Sequence, residues 1–315
     1  MIRKKILISD KVHPLLVDGL RSEGVNVDYH PKMPYADVKD IIGNYQGVIV
    51  NSKIICDASF IDQASHLDFI GRLGSGLDII DLPYAAQQGI KVISSPEGNA
   101  NAVAEHAMGM LLSLMHNLGN SHDDVRNMAW NREPNRGEEL KGKTIGIIGF
   151  GHTGAAFAKK LSSFEVTILA YDKYKKGLNV DAPDVEEVSL TALKERSDVI
   201  SIHLPLTQET NGWINNKWLE SCKSQSIFIN TSRGGIVNSP DLLSHLESGH
   251  LKGVCLDVLE NEVPSSWTGG LKQTYLSLLD RKDVLITPHI AGWTHKSLAL
   301  IASVLLRKIS SFYKK

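Results

Sequence analysis

The sequence predicts an α/β protein built from two doubly wound parallel sheets, and three observations support this fold class. Short apolar runs alternate with helical patterns along most of the 315 residues, which is typical of βαβ units. A second alternating series opens near mid-chain with a glycine-rich turn, in residues 143–161, KTIGIIGFGHTGAAFAKKL. The final segment is amphipathic with helical apolar spacing. The length also favours two domains.

The first alternating series precedes the glycine-rich turn. Its predicted strands are KILIS, VNVDY, GVIVNS and DFIGRLG, and the helical patterns between them are PLLVDGLRSEG, YADVKDIIGNY and ASFIDQAS. A loop with Pro96 and Gly98 follows, and a long helical stretch begins near Asn101. We interpret this pause in the alternation as a domain crossing.

The second series has six predicted strands, KTIGIIGF, VTILAYD, SDVISIHL, QSIFINTS, KGVCLDV and DVLITPHI, and it is followed by the amphipathic helix HKSLALIASVLLRKISSFY. If that last helix returns to the first domain, the second domain is an insertion. Its first strand then necessarily falls in the middle of the chain. We therefore predict one domain from residues 1–99 and 293–315, and another from residues 100–292.

Composition favours a small-molecule ligand. The 34 basic and 35 acidic residues nearly cancel, so no long-range field attracts nucleic acid or an anionic membrane. The three cysteines are far apart without metal or redox spacing, which predicts buried free thiols in a reducing cytosol. No signal peptide or membrane span is indicated, and cytoplasmic location is the expectation. No metal site is predicted, because His245 and His250 do not share a helical face.

The glycine-rich turn predicts a dinucleotide site. Gly149, Gly151 and Gly154 match GxGxxG between an apolar strand and a helix, where phosphate can rest on helix N–H groups. Asp172 ends the next strand, where a carboxylate that binds ribose would favour NAD over NADP. Three lysines that weaken this preference follow it, at Lys173, Lys175 and Lys176. The alternative is a turn that serves helix packing alone.

Three isolated polar residues each follow a predicted strand of the second series. They are Arg233 in NTSRGGIV, Glu262 in LDVLENEV and His289 in TPHIAGW. The carboxyl ends of parallel strands share one edge, so these side chains could converge there. A histidine proton donor, a carboxylate that orients it and an arginine fork suit hydride transfer between a nicotinamide and a 2-keto or 2-hydroxy acid. Taken singly, each residue is also explained by an ordinary loop contact.

Several ordered motifs resemble the D-isomer-specific 2-hydroxyacid dehydrogenase family along nearly the whole chain: RLGSGLDIIDL, NANAVAEHAMGMLL, KTIGIIGFGHTG, HLPLTQETNGWI, INTSRGGIV, LDVLENEVP and TPHIAG. The resemblance implies a Rossmann domain inserted in a flavodoxin-like substrate domain. It implies catalytic roles for Arg233, Glu262 and His289. It also implies a homodimer through the Rossmann domain, with an interface helped by the helix that Asn101 and Glu105 open.

The candidate residues for NAD are Gly149, Gly151, His152, Thr153, Gly154, Asp172, His203, Pro205, Thr210, Thr231, Ser232, Arg233, Asp257, His289 and Gly292. The candidate residues for the substrate are Asn51, Ser52, Lys53, Arg72, Ser75, Gly76 and Trp293. The turn at Ser75 and Gly76 is expected to offer backbone N–H groups to a carboxylate. Trp293 either lines the substrate pocket or is a buried structural residue.

Two features depart from the family pattern. His152 stands where the family often has an arginine that contacts the pyrophosphate. The stretch at residues 264–283 is longer than the family minimum, and we treat it as an extended loop.

The substrate prediction depends on charge placement in the first domain. The stretch GRLGSGLD looks most like phosphoglycerate dehydrogenases, and Arg72 with Lys53, on turns and without partners, would bind a substrate phosphate. This favours 3-phosphohydroxypyruvate, an intermediate of serine biosynthesis. The alternative is that both cations are solvated or paired with Asp57 and Asp78. Asn51 is a departure, because those enzymes commonly carry an arginine there. Glyoxylate or hydroxypyruvate reduction is the alternative, and a transcriptional co-repressor that binds the dinucleotide is the alternative of another class.

Overall fold

The computed structural model describes residues 4–182 and 184–314. The chain divides into two compact units. Unit 1 comprises Met1–Ala100 and Trp293–Lys315, and unit 2 comprises Asn101–Gly292.

The N-terminal part of unit 1 is a five-stranded parallel sheet in the order β2-β1-β3-β4-β5. Its elements are β1 (Lys5–Ile8), α1 (Pro14–Ser22), β2 (Asn26–Tyr29), α2 (Tyr35–Ile41), β3 (Gly47–Val50), α3 (Ala58–Ile61), β4 (Phe69–Arg72), α4 (Leu82–Gln87) and β5 (Lys91–Ser94). This strand order is the flavodoxin-like order. All four residues of β3 are buried, as expected for a central parallel strand covered on both faces.

Unit 2 is a seven-stranded parallel sheet in the order β12-β11-β10-β9-β6-β7-β8. Its elements are α5 (Ala100–Met115), α6 (Leu118–Arg126), β6 (Thr144–Ile148), α7 (His152–Leu161), β7 (Thr167–Tyr171), α8 (Leu178–Asp181), β8 (Val185–Glu187), α9 (Leu190–Arg196), β9 (Val199–Ile202), α10 (Asn216–Glu220), β10 (Ser226–Asn230), α11 (Ser239–Glu247), β11 (Leu251–Leu256), α12 (Gly269–Leu279) and β12 (Val284–Ile286). The six strands β6 to β11 lie in the strand order of a Rossmann fold, which confirms the predicted fold class.

The C-terminal helix α13 (His295–Tyr313) belongs to unit 1 and coincides with the predicted amphipathic helix. A capping box formed by Thr294 and Ser297 begins it. Its buried face, which includes Leu305 and Ile309, packs in one core cluster with residues of β1 and α1. Unit 1 therefore takes its core from both ends of the chain.

The prediction of an extended loop at residues 264–283 is wrong. A short 3₁₀ turn at Pro264–Ser266 precedes α12, which fills more than half of this stretch. Tyr275 and Leu278 lie one helical turn apart and are fully buried in the core of unit 2. The sequence analysis also does not predict several short elements, among them α4 and β5 in unit 1 and α8 and β8 in unit 2. Elements of three to six residues carry too little periodicity.

The predicted free thiols are confirmed, since all three cysteines are buried and unpaired. Burial raises the pKa of Cys56 and of Cys222 to about 12. Across residues 4–182 and 184–314, none of the helices has the length and apolarity needed to cross a membrane.

Candidate active site

Arg233, Glu262 and His289 follow three neighbouring strands of the unit 2 sheet, as the sequence predicts. They come after β10, β11 and β12 respectively. Because these strands are parallel and adjacent, their carboxyl ends form one edge of the sheet.

His289 and Glu262 form a hydrogen-bonded pair. The Nδ1 atom of His289 lies 2.8 Å from Oε2 of Glu262, and about two fifths of each side chain is exposed. A carboxylate at Nδ1 accepts a hydrogen bond from the Nδ1–H group and stabilises the imidazolium form. The pairing therefore leaves Nε2 of His289 as the nitrogen that can exchange a proton with a substrate.

The buried carboxylate of Asp257 organises the loop that carries His289. Its oxygens accept hydrogen bonds from the hydroxyl of Thr287 at 2.5 Å and from the backbone N–H groups of Ile290 at 2.9 Å and Ala291 at 2.8 Å. The N–H of His289 donates to the carbonyl oxygen of Asp257 at 2.8 Å. His289 has a φ of 54°, which is costly for a residue with a side chain. These bonds hold it in that conformation.

His106 on α5 extends this network. Its Nε2 atom lies 2.9 Å from the hydroxyl oxygen of Thr287 and 3.5 Å from Oδ1 of Asp257. The sequence interpretation missed His106 and assigned Asp257 only to the cofactor. A buried aspartate directly after an apolar strand was the available signal, but its partners lie about 30 residues away in sequence.

Asn230 at the end of β10 shapes the loop that carries Arg233. Its side-chain amide donates to the carbonyl of Arg233 at 3.0 Å, and its side-chain oxygen accepts from the N–H of Ser232 at 2.9 Å. Gly234 comes next, where an added Cβ would lie 1.9 Å from the carbonyl carbon of Leu259. The loops after β10 and β11 thus touch backbone to backbone, which fixes Arg233 and Glu262 relative to each other.

The glycine-rich turn has the geometry of a dinucleotide site. Gly149 has a φ of 89°, and an added Cβ would lie 2.4 Å from the carbonyl oxygen of His203. A Cβ on Gly154 would lie 2.1 Å from the carbonyl oxygen of Gly149. Gly151 is the N-cap of α7, with no side-chain cap and no atom within 4 Å of an added Cβ. Packing alone explains Gly149 and Gly154. The open space at Gly151 suits a pyrophosphate bound at the helix N-terminus.

Asp172 lies directly after β7, beside this turn. Its carboxylate accepts from the N–H groups of Phe150 at 2.8 Å and of Tyr174 and Lys175 at 2.9 Å. Burial acts to raise the pKa of Asp172, but these donors outweigh it and hold the pKa below its usual value. Oδ2 accepts only one of these bonds and retains capacity for a ribose hydroxyl.

The three lysines that follow Asp172 all contact other residues of this chain. Lys173 pairs with Glu209 on the loop after β9, and the hydroxyl of Tyr174 donates to the same carboxylate at 3.0 Å. Lys176 donates to the carbonyl of Asp172 at 3.3 Å. Lys175 lies over the ring of Phe150. The 2'-phosphate of NADP would therefore lie near two negative charges, those of Asp172 and Glu209. The positive charge of Lys173 is already paired with Glu209.

The other cofactor candidates lie in further loops of unit 2. His152 and Thr153 begin α7, Gly292 follows β12, and the rest come after β9 or β10. Burial lowers the pKa of His203 to about 4, so its ring is neutral at physiological pH. Thr210 bonds to the carbonyl of Pro205 at 2.7 Å and closes the turn after β9. The hydroxyl of Thr231 is buried without a hydrogen-bond partner among the described residues. An orphaned donor beside Ser232 and Arg233 is consistent with a ligand at this edge.

The two unit 1 cations proposed for phosphate already have partners, so the prediction that they lack them is wrong. Lys53 donates to the carbonyls of Ser9 and Pro31 and joins two loops at the end of the sheet. Arg72 is the last residue of β4, not a turn residue, and donates to the side-chain oxygen of Asn51 at 3.0 Å. Backbone carbonyl groups are exposed where parallel strands end, and they can accept hydrogen bonds from a nearby cation. The sequence alone does not reveal that they accept from Lys53.

Ser75 and Gly76 lie in the loop after β4. Among the described residues, their N–H groups donate no hydrogen bond, which suits a carboxylate ligand. The side chain of Ser95 accepts from Gly74 at 3.0 Å and holds the start of this loop. Trp293 is 63% exposed, so the buried structural alternative is wrong.

Residues 108–291 match the family model of the D-isomer specific 2-hydroxyacid dehydrogenase, NAD binding domain, which is more than half of the chain. The chain belongs to the D-isomer specific 2-hydroxyacid dehydrogenase family. Its members are oxidoreductases that act on CH–OH groups, and NAD is the cofactor of the matched domain. The glycine-rich turn and Asp172 fit that cofactor.

Three similar proteins represent the range within this dehydrogenase family. A D-3-phosphoglycerate dehydrogenase of Archaeoglobus fulgidus is 32% identical over 310 residues, 98% of this chain and 57% of that protein. A hydroxypyruvate reductase of Thermotoga maritima is 36% identical over 273 residues, 87% of this chain and 86% of that protein. The crystal structure of a D-lactate dehydrogenase from Aquifex aeolicus, complexed with NAD and lactic acid, has a TM-score of 0.84 at 27% identity and covers 99% of this chain and 96% of that chain. The chain thus spans little more than half the length of its phosphoglycerate dehydrogenase relatives.

Proposed function

We propose that this protein interconverts a D-2-hydroxy acid and its 2-keto acid with NAD. The observation that carries the proposal is the 2.8 Å pair of His289 and Glu262 on the sheet edge that also bears Arg233 and the glycine-rich turn. Unit 2 then binds the cofactor. In unit 1, the N–H groups of Ser75 and Gly76 are the candidate donors to a carboxylate.

The chemistry divides between the cofactor and the chain. Bound NAD supplies or accepts a hydride at the nicotinamide C4 atom. During reduction, Nε2 of His289 donates a proton to the carbonyl oxygen of the keto acid, and in oxidation it takes the hydroxyl proton back. Glu262 fixes the ring orientation and stabilises its charged form. The guanidinium of Arg233 binds the substrate carboxylate and polarises the neighbouring carbonyl.

For the substrate we favour a short 2-keto acid without phosphate, such as hydroxypyruvate or glyoxylate. Lys53 and Arg72 already bond to oxygen atoms of unit 1, so they offer a phosphate fewer donors than two unpartnered cations would. The Thermotoga maritima relative, matched over most of its length, also favours this class. 3-Phosphohydroxypyruvate remains the second candidate, because the phosphoglycerate dehydrogenase relatives match 98% of this chain.

A panel of 2-keto acids assayed with NADH and NADPH tests the proposal. We expect NADH-dependent turnover, and His289→Ala should lower reduction by about 100- to 10,000-fold because the general acid is lost. NADH binding, followed by fluorescence, should stay nearly unchanged. His116→Ala removes an exposed histidine outside these loops and should leave turnover intact. Wild-type rates in the His289→Ala variant would refute the assignment.

The same panel separates the candidate substrates. If a phosphate subsite exists, kcat/KM for 3-phosphohydroxypyruvate should exceed that for hydroxypyruvate by more than about tenfold, or roughly 1.4 kcal/mol. We expect a smaller ratio. A protein that binds NADH but turns over none of these acids would instead favour the co-repressor alternative.

A further inference from the structure

The segment after Glu262 is longer than expected and packs as a 3₁₀ turn and α12. This inference rests on the proposed function, because it concerns how Glu262 is held beside His289. Its observations are the contacts of Asn261, the residue directly before Glu262.

Two aromatic side chains bond to the backbone of Asn261, one at its carbonyl oxygen and one at its N–H group. The indole N–H of Trp267 donates to the carbonyl oxygen of Asn261 at 3.0 Å. The N–H of Asn261 donates to the hydroxyl oxygen of Tyr275 at 3.0 Å. The first bond lies on the peptide that joins Asn261 to Glu262.

The peptide on the other side of Glu262 is tied as well. The N–H of Val263 donates to the side-chain oxygen of Asn261 at 3.0 Å, which forms an Asx turn. Ser266 exchanges further bonds with the same amide group. Both peptides that flank Glu262 are therefore fixed by hydrogen bonds, although Glu262 itself is exposed.

The aromatic pair rests on the core. Tyr275 is fully buried, and its ring centroid lies 4.8 Å from that of Trp267. Trp267 packs against the core cluster that contains Tyr275 and Leu278. The position of Asn261 is thus tied to the interior of unit 2, and not to a solvated loop.

We propose that Trp267 and Tyr275 are positioning residues that hold the carboxylate of Glu262 at Nδ1 of His289. The groups that can influence the charge on the His289 ring are Glu262, Asp257 with its neighbour His106, and Arg233. Neither aromatic residue carries a charge near neutral pH, so their effect must come through the placement of Glu262.

The test uses Trp267→Phe and Tyr275→Phe, which keep an aromatic ring and remove one hydrogen-bonding group each. Each should move the alkaline limb of kcat/KM for keto-acid reduction to lower pH by about 0.3–0.8 unit and lower kcat about 3- to 10-fold, because a misplaced carboxylate supports the protonated imidazole less well. KM for NADH should change less than about twofold. In a Glu262→Gln background, neither substitution should move the limb further.

Trp218→Phe is the matched control. Trp218 lies in the same core cluster, and its indole N–H has no partner among the described residues. This control should leave the limb unmoved. The inference is overturned if the aromatic variants lower the melting temperature but leave the limb in place while Glu262→Gln moves it. If Tyr275→Phe does not fold, the Trp267→Phe variant still tests the inference, because Trp267 is partly exposed. If Glu262→Gln also leaves the limb in place, the proposed function itself fails.

Discussion

At the scale of single residues, Asp257 and Glu262 act on the same histidine in different ways. Asp257 is buried and bonds to backbone groups around His289, whereas Glu262 is exposed and bonds to the ring itself. The first carboxylate therefore fixes where the ring lies. The second places a carboxylate beside Nδ1 of the ring.

Glu262→Gln should consequently move the alkaline limb of the reduction profile to lower pH, by about 0.5–1 unit, because the negative charge that favours imidazolium is gone. The measurement is kcat/KM for keto-acid reduction over about pH 5 to 9, a range that includes the pH at which a histidine ordinarily loses its charge. Glu260→Gln is the matched control, since Glu260 accepts from the N–H of Ser239. An unmoved limb in Glu262→Gln would remove this residue from the site.

Most site residues that the sequence proposes share one property, namely that each stands in the loop after a recognisable strand. Gly149, Asp172, Arg233 and His289 are examples. His106 and the partners of Lys53 could not be predicted, because their meaning depends on groups distant in sequence. Strand ends are local signals, whereas hydrogen-bond partners across a fold are not.

At the scale of elements, the close approach of two loops depends on Gly234. In Gly234→Ala the new methyl group would overlap the carbonyl group of Leu259, and neither backbone can yield easily. We expect a loss of about 1–3 kcal/mol or more in the free energy of unfolding, with a fall in kcat/KM of about tenfold or more. Urea unfolding and steady-state kinetics measure the two effects.

Gly270→Ala is the control for that substitution. It lies in α12, and an added Cβ meets no atom within 4 Å. Because alanine favours the helix, this change should be neutral or stabilise by up to about 1 kcal/mol. Equal behaviour of the two variants would contradict the proposed loop contact.

We predict that the loops after β7 and β9 govern the choice between NAD and NADP. Asp172→Asn removes the charge and keeps an acceptor oxygen for the N–H groups of Tyr174 and Lys175. Glu209→Gln removes the charge that pairs with Lys173. Each should narrow the preference for NADH over NADPH, by roughly 3- to 30-fold, because less negative charge faces the 2'-phosphate. Ratios of kcat/KM for the two cofactors test this. A wild-type enzyme that prefers NADPH would contradict the role of Asp172.

At the scale of the whole molecule, we expect a homodimer through unit 2. A group of exposed large apolar side chains lies on α6 and the segment after it, at Leu118, Val125, Met128 and Trp130. Met128 is 94% exposed and Trp130 is 80% exposed, which is costly for a free surface. Trp130→Glu should therefore shift the protein towards the monomer in analytical ultracentrifugation. Leu279→Glu, on another exposed helix face, should not, and a wild-type monomer would refute the expectation.

The architecture was more predictable than the chemistry of its first unit. Alternating periodicity is repeated over many residues, so both sheets and the helix α13 followed from it. The sequence analysis predicts an extended loop where the helix α12 lies, although the buried residues Tyr275 and Leu278 of this helix have helical spacing. One helical turn of apolar residues is a weak helix signal. The glycines and serines around it are typical of a loop, so the sequence favours a loop there.

The return of α13 to unit 1 also has a consequence for how the chain folds. The buried face of α13 completes a core with β1 and α1, yet the ribosome makes it after all of unit 2. Strands β1–β5 therefore emerge early and keep an uncovered apolar face while the inserted sheet is synthesised. Unit 2 has all its strands in one continuous segment and can fold as it emerges. Unit 1 is thus completed only after unit 2, and it depends on contacts of long sequence separation that form slowly.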